Sequence, residues 1–372
     1  MRLEELDFDF PEDLIAQHPC EPRDACRLLV GDPRSGEIAH RAFRDLVDLV
    51  RAGDLLVVNE SKVFPARTWA RKETGGKVEL LFLRKLEVHE ERAGAAAPAL
   101  PAGGSAADLE AELWEALARP SARLRPGHVL TLESGDTLEL VASHGDGRWT
   151  VARRGLPGVL ELLDACGAMP LPPYIHEPLH DARDYQTVYA AVTGSAAAPT
   201  AGLHFTTNLL EAVRSRGVAV EGVTLHVGVD TFRPVTEARI EDHAIHSEWY
   251  HVDAGTAEKI DEARASGRRV IAVGTTAVRV LETLYHDSAP GGGASAPLDG
   301  ATRVYITPGY TFRAVDALLT NFHLPRTSLL ALVMAFGGVG FVRDCYRSAV
   351  REHYRFFSFG DAMFIEARGE SS

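Results

Sequence analysis

The hydrophobic pattern of this sequence changes type twice, and this limits the folds that the chain can adopt. The apolar run DLLVVN at 54–59 precedes a polar stretch, which is typical of a buried strand. Between 63 and 156, segments such as KVELLFLRK alternate with Gly-Asp and Pro-Gly turns, a spacing that predicts a small antiparallel β-barrel. From 157 onward, helical and strand patterns alternate. We therefore predict a larger mixed α/β domain, discontinuous over 1–62 and 157–372, with the barrel inserted at 63–156.

Length and composition agree with two domains that fold without cross-links. The 372 residues are 45% hydrophobic, enough for a substantial core. The cysteines at 20, 26, 166 and 345 lack the short spacing of a zinc site or a redox motif. The N-terminal MRLEELDFDFPEDL carries acids where a signal peptide has a basic start, and no apolar run approaches the roughly 18 residues of a membrane span. We expect a cytoplasmic monomer that makes no use of a membrane.

Two stretches are too poor in large apolar residues to pack into a core. One is AGAAAPALPAGGSAAD at 93–108, and the other is GGGASAP at 291–297. We predict a flexible loop at each.

The formal charge of −13 argues against indiscriminate nucleic-acid binding, because phosphate binding depends on cations. Any contact with RNA must therefore use local basic groups. The arginines at 343, 347, 351 and 355 are four residues apart and would form one stripe on a helix, although a solvated helix face is the alternative. A second basic group lies near the inserted domain. The candidate RNA-binding residues are Lys62, Arg67, Arg71, Lys72, Lys77, Arg347 and Arg351.

The segment GSAAAPTAGLHFT at 194–206 joins small residues to a predicted helix at 208–217. Small residues let a backbone approach a ligand closely, and Thr206 is placed to cap the helix. A tight packing turn is the alternative. His204 lies here between apolar neighbours, so it is either catalytic or a satisfied core residue.

The segment RRVIAVGTTAVRVLE at 268–282 predicts a buried strand that runs directly into a helix. Such turns aim backbone N–H groups and the positive end of the helix dipole at whatever lies beyond the strand. We expect a carboxylate or sugar hydroxyl at Gly274-Thr275-Thr276, and a carboxylate held by Arg279 in the first turn. The alternative is a threonine cap with a solvated arginine.

The segment IEDHAIHSEWYHV at 240–252 concentrates histidines and acids. His243, His246 and a carboxylate resemble a metal-ligand set, but their spacing is not that of an i, i+4 pair on one helical face. Acid and base chemistry, with Asp242 in the set, is the better interpretation, and no metal is expected.

These segments together resemble one family, and the resemblance covers nearly the whole chain except the two predicted loops. The family is that of the S-adenosylmethionine:tRNA ribosyltransferase-isomerases of queuosine biosynthesis. Cys26, Asp230, Arg326-Thr327-Ser328 and Phe359 depart from its usual residues, which are Ser, Gly, x-Ser-Thr and Tyr. The matching segments are FPEDLIAQHP, GDLLVVNESKVFPAR, TGGKVELL, MPLPPYIH, YQTVYA, APTAGLHFT, TLHVGVDTFRPV, IEDHAIHSE, VIAVGTTAVRVLE, LLTNFHLPRTSLL and YRFFSFGDAM.

The resemblance implies that S-adenosylmethionine is a ribosyl-donor substrate. The acceptor would be tRNA that carries 7-aminomethyl-7-deazaguanine at the wobble position, and the products would be epoxyqueuosine-tRNA, adenine and methionine. Such chemistry needs a base beside the sulfonium and an acid at the departing adenine. The candidate catalytic residues are His204, His226, Asp242, His243, His246, Asn321 and His323. The candidate donor-binding residues are Thr200, Gly202, Gly274, Thr275, Thr276 and Arg279.

Two other functions remain as alternatives. An RNA methyltransferase that uses S-adenosylmethionine would carry a glycine-rich loop after its first strand, and 54–63 contains no glycine. A non-catalytic RNA-binding module would be basic and rich in stacking aromatics, whereas this chain is acidic with 8% aromatics.

Overall fold

The structure is a computed structural model that describes residues 1–86, 111–228, 235–245, 247–289 and 292–366. The predicted loop at 93–108 lies outside the described residues, as do Asp230 and His246. The chain divides into two compact units. The first consists of Met1–Lys62, Pro172–Val192 and Ala198–Ser372, and the second of Val63–Leu171 and Thr193–Ala197.

The strands and helices are numbered along the chain. The strands are β1 (Arg27–Asp32), β2 (Glu37–Ala42), β3 (Leu55–Asn59), β4 (Ser61–Val63), β5 (Arg67–Lys72), β6 (Lys77–Lys85), β7 (Glu112–Arg119), β8 (Val129–Leu132), β9 (Thr137–Gly145), β10 (Arg148–Arg153), β11 (Val192–Ser195), β12 (Ala219–Leu225), β13 (Glu248–His251), β14 (Val270–Val273), β15 (Asp299–Thr302), β16 (Ala317–Asn321) and β17 (Ala362–Glu366). The α-helices are α1 (Leu46–Leu49), α2 (Val159–Cys166), α3 (Thr207–Ser215), α4 (Ala254–Ala265), α5 (Gly274–Leu284), α6 (Ser328–Gly337) and α7 (Val339–Arg351).

The first unit is built on a mixed sheet. Its described strands lie in the order β15-β13-β12-β3-β14-β16-β17-β1-β2. The strand predicted at 54–59 is β3, all of whose residues are buried, and it pairs in parallel with both β12 and β14. β16 extends this parallel block beside β14. Burial on both faces explains why these strands read as continuous apolar runs instead of alternating ones.

Helices cover this sheet as the α/β pattern predicts. Thr206 caps α3 by accepting a hydrogen bond from the Leu209 amide at 3.1 Å, so the predicted cap is confirmed. Across the residues that can be described, no single helix is long and apolar enough to cross a membrane. α6 and α7 meet that criterion only when counted together, and they are bent by 112°.

The second unit contains the predicted barrel. Within its described part, strands in the order β10-β7-β6-β5-β8-β9 close into an antiparallel barrel. Leu80, Phe82, Leu130 and Leu140 are fully buried on alternate strand positions, as the period of a strand requires. The predicted fold class, a mixed α/β chain with a small antiparallel barrel, is confirmed.

Residues 292–297, predicted as a flexible loop, are hydrogen-bonded to their surroundings. The amides of Ser295 and Ala296 donate to the Leu284 carbonyl at the end of α5, and Ser288 Oγ donates to the Gly293 carbonyl. The small residues of this segment therefore allow a close approach to a helix end.

A buried ion pair joins three strands at the amino-terminal edge of the parallel block. Arg269, just before β14, contacts the Asp54 carboxylate at 2.5 Å and Glu366 of β17 at 3.0 Å. Asp54 precedes β3 and also accepts a hydrogen bond from the Arg51 amide at 2.7 Å. These contacts hold the beginnings of β3 and β14 level with each other, and they leave the opposite edge for the site.

Candidate functional site

A cavity of the first unit opens at the carboxyl ends of the parallel strands. The space between its walls, including the part open to solvent, is about 630 Å³. Because β12, β14 and β16 run parallel, the residues that follow them meet at one edge of the sheet. We call this the donor cavity, and its wall consists of residues 174, 198–201, 227, 274–276, 320–324, 327, 329, 357 and 358.

The turn from β14 into α5 forms one wall of the donor cavity. Gly274 has φ +86°, a left-handed conformation that a residue with a Cβ adopts only with strain. A Cβ there would also lie 3.4 Å from the Ala201 side chain. The hydroxyl of Thr276 is buried and has no hydrogen-bond partner within the described chain. A bound molecule or a water can satisfy it, as buried polar groups require.

The predicted donor residues separate into those that line this cavity and those that do not. Thr200, Gly274, Thr275 and Thr276 line it. Gly202 is instead covered by Tyr189, whose hydroxyl would lie 1.9 Å from a Cβ added at that glycine. Gly202 is therefore required for close packing, which is the alternative that its sequence left open.

Asn321 ends β16 and lines the donor cavity. Its Nδ2 donates to the Phe357 carbonyl at 2.8 Å and to the Ser358 carbonyl at 3.3 Å, so its Oδ1 faces His204. His204 Nε2 lies 3.4 Å from that oxygen, and its Nδ1 lies 3.2 Å from Cys26 Sγ. Three side chains thus form a hydrogen-bonded chain from the core to the cavity wall.

The directions of these hydrogen bonds follow from the chemistry of the groups. Burial raises the pKa of the Cys26 thiol, so the thiol keeps its proton and donates to His204 Nδ1. Nε2 then carries the imidazole proton and donates to Asn321 Oδ1. Burial also lowers the pKa of His204 to about 4, which keeps the ring neutral. His204 is a buried, satisfied residue that acts on the cavity through Asn321.

His323 is the predicted catalytic histidine that lines the donor cavity. Its Nε2 lies 2.8 Å from Thr320 Oγ1, and its amide donates to the Tyr346 hydroxyl at 2.8 Å. Burial lowers the pKa of this imidazole to about 3. The ring is therefore neutral at pH 7, the form that accepts a proton.

His226 follows β12 but is not part of the donor-cavity wall. Its Nδ1 lies 3.4 Å from Ser61 Oγ, and its ring stacks on Trp249 with centroids 4.9 Å apart. Burial lowers the pKa of His226 to about 4.

A second cavity, of about 480 Å³, adjoins the donor cavity. We call it the Arg279 cavity, and its wall consists of His243, Ile245, Glu248, Arg279, Val304, Tyr305, Ile306, Ser328, Leu329 and Leu332. Arg279 forms an ion pair with Glu248, and both side chains are largely buried. Burial lowers the pKa of Arg279 to about 10, which leaves it charged at pH 7.

The position of Arg279 along α5 differs from the prediction. It is the sixth residue of α5 and not in its first turn, because the helix begins at Gly274. It is also buried beside Glu248, which excludes the alternative of a solvated arginine.

Of the predicted acid and base residues in the segment at 240–252, only some lie in a cavity. His243 lies in the Arg279 cavity, with Nδ1 3.0 Å from the Glu237 carboxylate. Asp242 is exposed at the end of a 3-10 helix, and His246 lies outside the described residues. Over the ranges that the structure covers, no group of three or more His, Cys, Asp or Glu residues is placed to hold a metal ion.

The two predicted basic groups differ in their ion pairs. α7 ends at Arg351, so Arg355 does not continue the stripe and instead contacts Asp361 at 3.4 Å. Arg343 donates to the Glu5 carbonyl at 2.6 Å. Arg347 and Arg351 are exposed, but each lies within 3.3 Å of an acid, Asp344 and Glu352 respectively.

The barrel cations surround the hairpin between β5 and β6. Arg71, Lys72 and Lys77 have no acidic partner in the described part of the chain, and Lys77 Nζ lies 5.3 Å above the Trp69 ring. Arg67 in the same strand is paired with Glu79 at 3.4 Å. Lys62 belongs to the first unit and is exposed.

Sequence reasoning missed three members of the cavity walls. Tyr174 and Ser358 line the donor cavity and hydrogen-bond to each other at 2.7 Å, and Glu248 pairs with Arg279. The first two lie in PPYIH and RFFSFG, which matched the family, but no local pattern of polar residues marks them. Glu248 lies in the segment at 240–252, and no local pattern there indicates that it pairs with Arg279.

Comparisons with known proteins agree with this geometry. Residues 3–365 match the family model described as queuosine biosynthesis protein. The S-adenosylmethionine:tRNA ribosyltransferase-isomerase of Rubrobacter xylanophilus is 50% identical over 100% of this chain and 99% of its own length. That of Symbiobacterium thermophilum is 47% identical over 98% of this chain and 100% of its own length.

The chain is also similar to a protein whose structure has been solved. The S-adenosylmethionine tRNA ribosyltransferase of Thermotoga maritima is 35% identical, with a TM-score of 0.52, over 97% of this chain and 99% of that one. The chain belongs to the queuosine biosynthesis protein family, whose members include the S-adenosylmethionine:tRNA ribosyltransferase-isomerases.

Proposed function

We propose that this protein transfers and isomerises the ribosyl group of S-adenosylmethionine onto 7-aminomethyl-7-deazaguanine at the tRNA wobble position. One observation carries the proposal. Segments that match the family, at 198–201, 274–276, 320–324 and 357–358, come from distant parts of the sequence and line a single cavity. Small molecules bind preferentially in concave sites where a few polar groups converge.

The polar groups of the donor cavity suit the nucleoside part of the donor. Thr200, Thr275 and Thr276 present hydroxyl groups, and the N-terminus of α5 contributes backbone donors and a positive dipole end. Together with the Asn321 amide, these groups can hold the ribose hydroxyls and the adenine edge while the sugar rearranges.

The first prediction concerns the products. Incubation of the protein with S-adenosylmethionine and tRNA that carries the deazaguanine should release adenine and methionine in equal amounts, with epoxyqueuosine detected in the tRNA by mass spectrometry. The alternative, a methyltransferase, requires S-adenosylhomocysteine and methylated RNA instead. S-adenosylhomocysteine as the main product would refute the proposal.

We assign the proton-accepting role beside the sulfonium to His323. Among the candidate histidines that the structure describes, it is the one in the donor-cavity wall, and its ring is neutral there. A base must be unprotonated, but a pKa of about 3 also makes this ring a weak base, so the assignment rests on the position of His323 in the cavity wall.

Replacement of His323 should therefore separate catalysis from binding. His323→Ala is expected to lower the single-turnover rate by about 10²- to 10⁴-fold, the contribution typical of a general acid or base. Donor affinity measured by calorimetry should change little. His226→Ala is the matched control, since that ring lies outside the cavity wall, and it should cost less than about tenfold in rate. The reverse ranking of the two variants would give the role to His226.

His204 has a positioning role in this proposal. Its Nε2–H holds the Asn321 oxygen in place, and the Cys26 thiol fixes that tautomer. Serine, the residue usual in the family at position 26, also has a short side chain that donates a hydrogen bond.

Substitution at Cys26 tests this chain of hydrogen bonds. Cys26→Ala removes the donor to Nδ1, so the ring should populate both tautomers and turnover should fall by about two- to tenfold, the equivalent of one lost hydrogen bond. Cys26→Ser should restore the rate. Nitrogen NMR shifts of the His204 ring report the tautomer directly. An unchanged tautomer together with wild-type turnover in Cys26→Ala would show that the chain is only structural.

For tRNA binding we favour the barrel hairpin over α7. Each exposed arginine of α7 is ion-paired with an acid, so these pairs carry little net charge, whereas Arg71, Lys72 and Lys77 form no ion pair in the described structure and outnumber the neighbouring Glu73. Unneutralised cations are the groups that displace counterions from phosphates.

A salt titration of two double variants compares the surfaces. Lys72→Ala/Lys77→Ala should weaken tRNA binding and reduce the slope of log affinity against log salt by between about one and two units. Arg347→Ala/Arg351→Ala removes the same number of cations and should leave the slope within about half a unit. Donor binding should be unchanged in both. If the α7 variant shows the larger loss, the assignment is reversed.

A further inference from the structure

The Arg279 cavity combines one buried ion pair with an apolar wall. Ile245, Val304, Ile306 and Leu332 supply the apolar surface, and the Glu248 and Arg279 side chains supply the charges. Both charged side chains are about nine-tenths buried. A molecule bound here would meet a cation, an anion and aliphatic groups side by side.

The cost of this ion pair indicates that it has a use beyond stability. Removing two charges from water costs several kcal/mol, which their attraction repays only partly. Other contacts fix the orientation of both groups, since Glu248 Oε1 accepts from the Gly228 amide at 3.1 Å and Arg279 Nε donates to the Val304 carbonyl at 3.3 Å. A carboxylate and a guanidinium held in fixed directions can recognise a ligand that carries both charges.

The Arg279 cavity also continues the donor cavity. Leu329 lines both, and the consecutive residues Thr327 and Ser328 line one each. These residues form the N-terminus of α6, where Thr327 caps the helix by accepting from the Leu330 amide. The positive end of that helix dipole favours an anion in this region.

We propose that the Arg279 cavity binds the zwitterionic amino-acid end of the donor, with Arg279 on the α-carboxylate and Glu248 on the α-ammonium group. This inference rests on the proposed function. The apolar wall contacts the methylene groups, and the shared boundary at Leu329 places the sulfonium between the two cavities. The subsite holds the methionine part fixed while the bond from sulfur to the ribose breaks.

Two thioethers test the subsite without turnover. S-adenosylhomocysteine carries the amino-acid end, and 5′-methylthioadenosine has the same nucleoside and sulfur without it. In calorimetry, Glu248→Gln should weaken S-adenosylhomocysteine binding by about tenfold or more, the equivalent of a hydrogen bond to a charged group. The affinity for methylthioadenosine should stay within about twofold.

Two further variants make the result specific. Glu258→Gln removes one exposed carboxylate that lines neither cavity, and it should leave both affinities unchanged. Glu248→Gln/Arg279→Met removes both charges, so no unpaired charge stays buried, and thermal melting should show a folded protein. This double variant should bind the two thioethers with nearly equal affinity.

Equal losses for both ligands, or no loss for either in a folded variant, would overturn the subsite. A loss of affinity for the free deazaguanine base, with S-adenosylhomocysteine unaffected, would also overturn it and give the cavity to the acceptor base. Product analysis of the wild-type protein distinguishes failure of the subsite from failure of the proposed function. Normal release of adenine and methionine with unaltered thioether binding refutes only the subsite, whereas absence of these products refutes the proposed function.

Discussion

The parallel pairing of β3 with β12 and β14 is the constraint on which the rest of the site depends. β3 is buried along its whole length, and every residue of it pairs with a neighbour on at least one side. Parallel pairing fixes the direction of each strand, so the segments that follow β12, β14 and β16 all emerge at one edge. The Arg269–Asp54 pair holds the strand beginnings at the other edge. The antiparallel β17 begins at the same edge as β16 ends, so residues that are far apart in sequence meet there.

Much of this could be predicted from the sequence because the features are local. Continuous apolar runs indicated buried strands, turn residues indicated the barrel, and Thr206 indicated a helix cap, which follows from chemistry within four residues. The strand-to-helix turn at Gly274-Thr275-Thr276 was also predictable, and these residues line the donor cavity, but their role in donor binding stays a prediction. The domain limits of 63 and 156 stay a prediction.

The sequence was a poorer guide to residues whose positions depend on partners far away in the chain. Nothing near Arg279 in the sequence indicates that Glu248, 31 positions away, pairs with it. The sequence fits His204 as a core residue or as a catalytic one, and only the fold shows that it is buried, with Cys26 and Asn321 as its hydrogen-bond partners. The prediction that Arg355 belongs to the basic stripe is wrong, because a four-residue spacing does not show where a helix ends. α7 ends at Arg351, and Arg355 forms an ion pair with the Asp361 carboxylate.

An acidic protein can bind a polyanion if its cations act over a short range. At physiological salt the screening length is about 8 Å, so most of the −13 net charge is not felt at a given phosphate. What matters is the charge within that distance, and a cation beside an acid contributes little to it. By this criterion we propose the barrel hairpin, where Lys72 and Lys77 form no ion pair in the described structure, as the phosphate-binding surface in preference to α7, whose exposed arginines lie beside Asp344 and Glu352. Under this proposal, the local pairing of charges matters more for RNA binding than the number of cations.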